Sequence, residues 1–255
     1  MKHNFIYSSL IVFCWLLLAC SKQTDGYTPE ATVAQLYPLQ VGKTFTYRLD
    51  STVTANFGSV LATRSYLAKD TVESQFVDAQ GRTSFRIFRY LTDTLATREW
   101  TYTATYIATI TNHSVEYLDQ DLRFITLVNP VSANTYWSGN SYLSVVNTPY
   151  YFFNNWTYQY VDLNQPFTTL KQTFNNCYSV LQINDQSSSV FDPNNVFFKT
   201  YSKEVYAKGV GLVYKEFLHI NYQVIIQNGT ISNRYYVDDN SDVTYGITLK
   251  LIDYK

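Results

Sequence analysis

A long alternation of side-chain types between Trp100 and Ile110 constrains the fold more than any other feature of this sequence. Every second position carries an apolar or aromatic side chain, and most of the positions between them carry Thr. The apolar set is Trp100, Tyr102, Ala104, Tyr106, Ala108 and Ile110. Successive side chains of a β-strand point to opposite faces of its sheet, so this period of two predicts a long strand with one buried face.

Similar runs recur along the chain and are separated by residues that favour turns. The runs cover 44–53, 61–72, 83–91, 122–128, 150–161, 176–183, 197–207, 211–220, 222–226 and 243–252. Parallel strands need crossover segments of about a dozen residues, usually helical, and no such segment is evident between the runs. The sequence therefore predicts an all-β fold: a single antiparallel meander over residues 35–255, forming an open barrel or a sandwich. A short helix is expected around 30–36.

The first residues have the three parts of an export signal. A basic start at Lys2 is followed by an apolar run from Phe5 to Leu18 and by a small residue, Ala19. A retained transmembrane helix is the alternative, but Tyr7 and the two serines after it interrupt the run, and a span needs about 20 mostly apolar residues. Residues 1–19 are therefore predicted to be a signal peptide.

Leu17, Leu18, Ala19 and Cys20 resemble the lipobox of bacterial lipoproteins. The resemblance implies that Cys20 carries a diacylglyceryl group on its sulfur, that the signal is removed before it, and that the new amine is acylated. Two or more acyl chains make a lasting membrane anchor. Ser21 stands where an Asp often marks inner-membrane retention, so the resemblance favours the outer membrane. Residues 20–34 then serve as the acylated cysteine and a polar spacer.

Composition excludes one class of partner and indicates a large core. A formal net charge of -1 offers no basic surface for nucleic acid. The 24 Tyr and 16 Phe residues can bury a substantial core. Cys14 lies in the signal and Cys20 is acylated, so no disulfide within the mature domain is expected. Cys177 is interpreted as a small buried apolar residue, because its neighbours are apolar.

Three blocks resemble a widespread group of uncharacterised bacterial lipoproteins and envelope proteins. Residues 37–47 are similar to the group's opening "PL-x-x-G-x-x-W-x-Y", with Phe45 in place of Trp. Residues 173–180 and 206–216 are similar to "G-T-F-x-x-C-x-x-V" and "Y-A-x-G-V-G-L-V", with Gln172 in place of the first Gly. The group has no established reaction. The resemblance therefore implies an architecture and a cellular address only.

The segment from Tyr136 to Tyr160 is the part of the chain that is densest in aromatic residues, and it supplies the candidate ligand-binding residues. On one extended strand, Trp156, Tyr158 and Tyr160 would share a face. Packing in the core is one interpretation. The other is a stacking surface for a glycan, a peptide or an apolar ligand, with Trp137 as the first candidate.

Three triplets that begin at Asp50, Asp70 and Asp93 resemble an acceptor motif for O-glycosylation in one group of envelope-rich bacteria. The candidate acceptors are Ser51, Thr71 and Thr94. Asp followed by Ser or Thr also favours turns and strand ends through hydrogen bonds from side chain to backbone. If the sites are used, their hydroxyl groups must be exposed.

No motif for catalysis, a metal or a cofactor is evident. His113 and His219 have no partners at ligand spacing, and residues 238–242 lack the Gly and Glu that a calcium loop requires. Three functions remain open. A lipid-anchored, non-enzymatic binding or structural module leads; the others are a carrier of an apolar ligand in a half-open barrel and a hydrolase built on carboxylates such as Glu204.

Overall fold

The computed structural model describes residues 31–145, 150–237 and 243–255. The predicted signal peptide, Cys20 and most of the spacer lie outside the described residues, and so does the calcium-like segment 238–242. Among the described residues, one short helix and one 3-10 turn accompany thirteen strands. The prediction of a nearly pure β domain is confirmed.

The helix is α1 (Val33–Leu36) and the 3-10 turn is Tyr151–Phe153. The strands are β1 (Thr44–Ala55), β2 (Val60–Val77), β3 (Thr83–Thr92), β4 (Thr101–Ile110), β5 (Ser114–Asp119), β6 (Leu122–Val128), β7 (Tyr136–Trp137), β8 (Tyr158–Thr168), β9 (Thr173–Gln186), β10 (Phe197–Ala207), β11 (Gly211–Gln227), β12 (Thr230–Tyr236) and β13 (Tyr245–Tyr254).

All described strand pairs are antiparallel and belong to one sheet. Its order is β6-β5-β4-β3-β2-β1-β13-β11-β10-β9-β8-β7, with β12 added beside β11. Most neighbours are joined by hairpins, which explains why the sequence shows short turns between strands. The pairing of β1 with β13 is different, because it joins the two ends of the domain, with Leu49 opposite Leu249.

The sheet curls into a nearly closed barrel, and its two edge strands meet at a seam. The backbone N–H of Ile125 on β6 donates to the carbonyl of Gly139, just after β7, at 2.8 Å. The indole N–H of Trp137 donates to the carbonyl of Ile125 at 2.7 Å. Bringing β6 and β7 together covers part of the unpaired edges at which a β domain would otherwise aggregate.

Period-two burial explains why these segments became strands. On β1, the buried side chains of Phe45, Tyr47 and Leu49 alternate with half-buried ones. Cys177 on β9 is 2% exposed, as predicted, and burial raises its pKa to about 11. A thiol in this state is a packing residue rather than a nucleophile.

The prediction of a strand over 150–161 is wrong for its first half. Tyr151–Phe153 forms the 3-10 turn, and β8 begins only at Tyr158. Two of the three aromatic side chains of the turn pack inward as a plug, whereas Tyr151 is exposed. The ring centroids of Phe152 and His219 are 4.5 Å apart, and those of Phe153 and Trp156 are 5.0 Å apart. Burial of these rings against the barrel wall outweighs their local preference for strand.

The short predicted helix is present as α1 and is anchored at both ends. Thr32 forms a capping box with Gln35, which satisfies backbone groups at the helix start. The carbonyl of Gln35 accepts from the N–H of Gly209 at 2.8 Å, and Asn129 accepts from the N–H of Val33 at 3.2 Å. The segment from α1 to β1 therefore packs against one side of the barrel interior.

Candidate functional site

A chamber of about 340 Å³ lies inside the barrel. Strands on opposite sides of the barrel supply its wall, and the 3-10 turn supplies part of one end. Of the lining residues, Gln120 and Tyr150 are exposed and mark its rim. Aromatic rings form much of the wall: Tyr117, Phe124, Tyr150, Phe153, Trp156, Tyr158, Phe217 and Tyr245.

A second chamber of about 100 Å³ adjoins the first. Tyr37 and Leu39, which follow α1, form part of its wall. Six residues line both chambers, so the two are parts of one interior space: Tyr117, Asp119, Thr126, Glu204, Lys215 and Ile247. The interior of this barrel is therefore neither fully packed nor wholly apolar.

Glu204 and Lys215 form an ion pair on the wall shared by the two chambers. They are direct cross-strand partners on β10 and β11, and their charged atoms are 3.0 Å apart. Glu204 is 2% exposed and also accepts a 2.6 Å hydrogen bond from the hydroxyl of Tyr206. The carboxylate charge of Glu204 is thus compensated from two sides.

Arg89 and Asp70 form a second interior pair, which faces the smaller chamber. They are cross-strand partners on β2 and β3, and the guanidinium binds both carboxylate oxygens at 2.7 and 2.6 Å. The guanidinium also lies over the ring of Tyr106, 4.8 Å from its centroid. Burial lowers the pKa of Arg89. The charge of Asp70 and its hydrogen bonds raise that pKa by a larger amount, so the pKa of Arg89 lies above its ordinary value.

Asp119 differs from the other interior carboxylates. It lines both chambers at the end of β5, yet its side chain forms no hydrogen bond with any other described residue. Burial raises the pKa of Asp119 above its ordinary value; the charges of Lys215 and Arg89 oppose that rise, and the charge of Asp70 adds to it. The carboxylate is therefore partly desolvated and lacks a partner of its own.

Three other polar side chains of the larger chamber, those of Gln182, Ser202 and Tyr158, are fixed in position by hydrogen bonds. The hydroxyl of Ser202 donates to Gln182 at 2.6 Å, and the hydroxyl of Tyr158 donates to Asn140 at 2.7 Å. Both bonds are buried, which holds these side chains in one orientation. The chamber thus combines fixed hydrogen-bonding groups with aromatic faces, a combination common in sites for small molecules.

The four predicted aromatic site residues come together, but only two of them line the chamber. Trp156 and Tyr158 are 2% and 1% exposed and form part of its wall. Tyr160 donates to the carbonyl of Val128 at 2.7 Å. Trp137 packs on Tyr158 and Tyr160 with ring centroids 5.7 and 5.0 Å apart, and its indole belongs to the seam. A ligand-binding role for these residues stays a prediction.

Sequence reasoning missed Asp119, Lys215 and Arg89 as interior residues. A signal for two of the residues was present, since Arg89 and Lys215 lie on runs in which the neighbouring positions of the same face are apolar or aromatic. A charge at such a position indicates either an interior partner or a site. Asp119 gave no such signal, because it directly precedes a turn and looks like an ordinary turn residue.

The glycosylation candidates occupy three different environments and are partly exposed. Ser51 lies opposite Ile247, on the strand face that lines the cavity, whereas Thr71 lies opposite Phe88 and Thr94 lies in a turn. Their Asp neighbours have structural partners: Asp50 with Arg48 and Ser65, Asp70 with Arg89, and Asp93 with backbone N–H groups of its turn. Modification of these sites stays a prediction.

No group of three His, Cys, Asp or Glu side chains that could hold a metal ion is found among 31–145, 150–237 and 243–255. In the same residues, no helix has the length and apolar character needed to cross a membrane.

Comparisons with known proteins give two distant structural likenesses. No family model and no curated protein matches the sequence. A Bacteroides fragilis protein, provisionally described as exported and as having a YmcC-like fold, aligns with a TM-score of 0.38 and 11% identity over 85% of this chain and 98% of its own. A Parabacteroides distasonis protein, provisionally described as a lipoprotein, aligns with a TM-score of 0.43 and 13% identity. This alignment covers 89% of this chain and 100% of the other. At these values the likeness supports no functional inference.

Proposed function

We propose that this chain is a lipid-anchored protein of the cell envelope that binds a small molecule inside its barrel. The observation that carries this proposal is the interior chamber of about 340 Å³, walled by aromatic rings and fixed polar groups. Ligand sites commonly have volumes of about 300–1,000 Å³ and combine apolar walls with a few oriented polar groups. The diameter of a barrel grows with its number of strands, and this 12-stranded barrel is wider than the roughly eight-stranded ones whose interiors side chains can fill.

The charged interior favours a ligand with polar groups over a wholly apolar one. Glu204, Lys215 and Asp119 all line the larger chamber. An apolar ligand would displace water from the partly buried Asp119 without replacing the lost hydrogen bonds, which is unfavourable. The binding module is therefore preferred to the carrier of apolar compounds.

A cavity-filling substitution tests whether ligands bind inside the barrel. Ile247 lines both chambers, and Thr248 is the next residue of β13 and points to the opposite face. We expect Ile247→Trp to weaken binding of the uncharged fluorescent dye N-phenyl-1-naphthylamine at least tenfold, because the indole would occupy the chamber. Thr248→Trp, its matched control, should bind the dye like the original protein. Equal binding by both variants, or no dye binding by the original protein, would count against an interior site.

The envelope address rests on the lipobox, and substitution of Cys20 tests it directly. We propose that the acylated Cys20 tethers the domain to the outer membrane. Cys20→Ala removes the only predicted acceptor sulfur, so metabolic labelling with palmitate should disappear and the protein should leave the membrane fraction. Cys177→Ala is the control, since that thiol is buried in the domain, and should keep the label. Labelling that persists in Cys20→Ala would contradict the anchor.

A further inference from the structure

We infer that the ligand of the interior cavity is an organic cation whose charged nitrogen binds Asp119. This inference rests on the proposed function and specifies the ligand class of the same site. A site for such a cation needs a negative charge without a partner, surroundings that favour a cation, and space beside the charge for a carbon skeleton.

One carboxylate among the described residues that line the two chambers has no cationic side chain bound to it. The lining residues include three carboxylates, Asp70, Asp119 and Glu204, and two cationic groups, Arg89 and Lys215. Arg89 binds Asp70 through two hydrogen bonds, and Lys215 lies 3.0 Å from Glu204. Each cation therefore has its own carboxylate. Asp119 remains without a hydrogen-bonding partner among the described residues, and the lining carries one excess negative charge when it is ionised.

The surroundings of Asp119 combine aromatic rings with two cations, Lys215 and Arg89, each of which is bound to a carboxylate of its own. Tyr106 lies directly opposite Asp119 on β4, and Tyr117 lies two residues before it on the same face of β5. The rings of Tyr106 and Tyr117 stack at 5.3 Å. Tyrosine rings attract cations through their negative faces, and the attraction grows when the site is shielded from water. The Arg89 guanidinium already lies over the ring of Tyr106. A nitrogen cation at Asp119 would thus gain an ion pair and contact with the ring of Tyr117, which lines both chambers.

The larger chamber provides the space for the rest of such a molecule. Asp119, Trp156, Tyr158 and Phe217 all line it. A carbon skeleton packed there would replace water next to apolar ring surfaces, which is favourable. A neutral ligand of the same shape would gain the ring contacts but leave the carboxylate uncompensated, and an anion would add repulsion. The expected class is therefore a small amine with an apolar or aromatic body.

Three probes of nearly equal shape separate charge from size: 2-phenylethylamine, 2-phenylethanol and phenylacetate. Titration calorimetry at pH 7 on the full mature domain should show the amine binding at least tenfold more tightly than the alcohol. Phenylacetate should bind more weakly than both. Asp119→Asn keeps the side-chain shape and removes the charge. This variant should therefore bind the amine only as tightly as it binds the alcohol.

Asp121→Asn is the matched control, because Asp121 lies two residues away, is exposed and does not line either chamber. It should keep the full preference for the amine. Equal affinities for amine and alcohol in the original protein, no binding of any probe, or an amine preference that survives in Asp119→Asn would overturn the inference.

The proposed function is judged separately by binding of the uncharged dye to the original protein and to Ile247→Trp, which does not depend on charge. Loss of dye binding would show that the Asp119→Asn protein is misfolded. In that case Asp119→Glu, which keeps the negative charge, is tested in its place and should retain the preference for the amine over the alcohol.

Discussion

Asp70→Ala is expected to destabilise the fold by about 3–5 kcal/mol, because it leaves a buried guanidinium without its carboxylate. The side chains of Arg89 and Asp70 are only 12% and 11% exposed and share two short hydrogen bonds. Without Asp70, Arg89 keeps its charge, since its pKa lies far above neutral pH. Chemical denaturation with urea should show the loss as a lower midpoint with an unchanged slope.

A second ion pair between the same two strands provides the control. Glu73 and Arg86 also connect β2 and β3, but their side chains are 40% and 47% exposed and 3.6 Å apart. Exposed pairs contribute about 0–1 kcal/mol, so Glu73→Ala should leave the midpoint almost unchanged. The double variant Asp70→Leu with Arg89→Met should recover most of the loss, because it removes the unpaired charge. Similar midpoints for Asp70→Ala and Glu73→Ala would contradict burial of the interior pair.

Gly139→Ala should open the seam of the barrel and destabilise the fold by about 3 kcal/mol. A Cβ atom at this position would overlap the ring of Tyr158. The ring cannot easily move, because its hydroxyl is bound to Asn140 and Trp137 packs on it. The backbone of residue 139 must shift instead, which would weaken its hydrogen bond to Ile125.

Thermal unfolding measures this effect. A loss of that size should lower the midpoint by roughly 6–12 °C in a domain of this length. Hydrogen exchange should also accelerate at the N–H of Ile125, which closes the seam. Ser138→Ala is the control, since Ser138 is adjacent and exposed, and should unfold like the original protein. A Gly139→Ala protein with an unchanged midpoint and unchanged exchange would show that Tyr158 can adjust and that the seam is not sensitive to this contact.

Several strand boundaries could be predicted closely because they depend on local alternation and local turns. The runs 122–128 and 197–207 coincide with β6 and β10, and 44–53 lies within β1. The strand β5 was missed, because its six residues include Glu116, Tyr117 and Asp119 and resemble a polar connection. Its pairing with β4 and β6 supplies the stability that its own sequence does not indicate.

The interior pairs were only partly accessible to sequence reasoning. Asp70 with Arg89 and Glu204 with Lys215 are neighbours across hairpins, so a known register would have placed each pair on one face. The sequence does not fix that register, because bulges shift the pairing of β2 with β3 and of β10 with β11. It also does not say which face of each strand is the concave one.

By itself, the sequence determined the all-β antiparallel class, the single domain, the burial of Cys177 and most of the strands, because these follow from side-chain period and turn chemistry within short segments. Only the tertiary structure decided that the meander closes, with Leu49 opposite Leu249 and Trp137 against Ile125. It also decided that Asp119 faces an interior chamber. Closure depends on sheet twist and on hydrogen bonds between residues far apart in the chain, and neither leaves a periodic trace in the sequence.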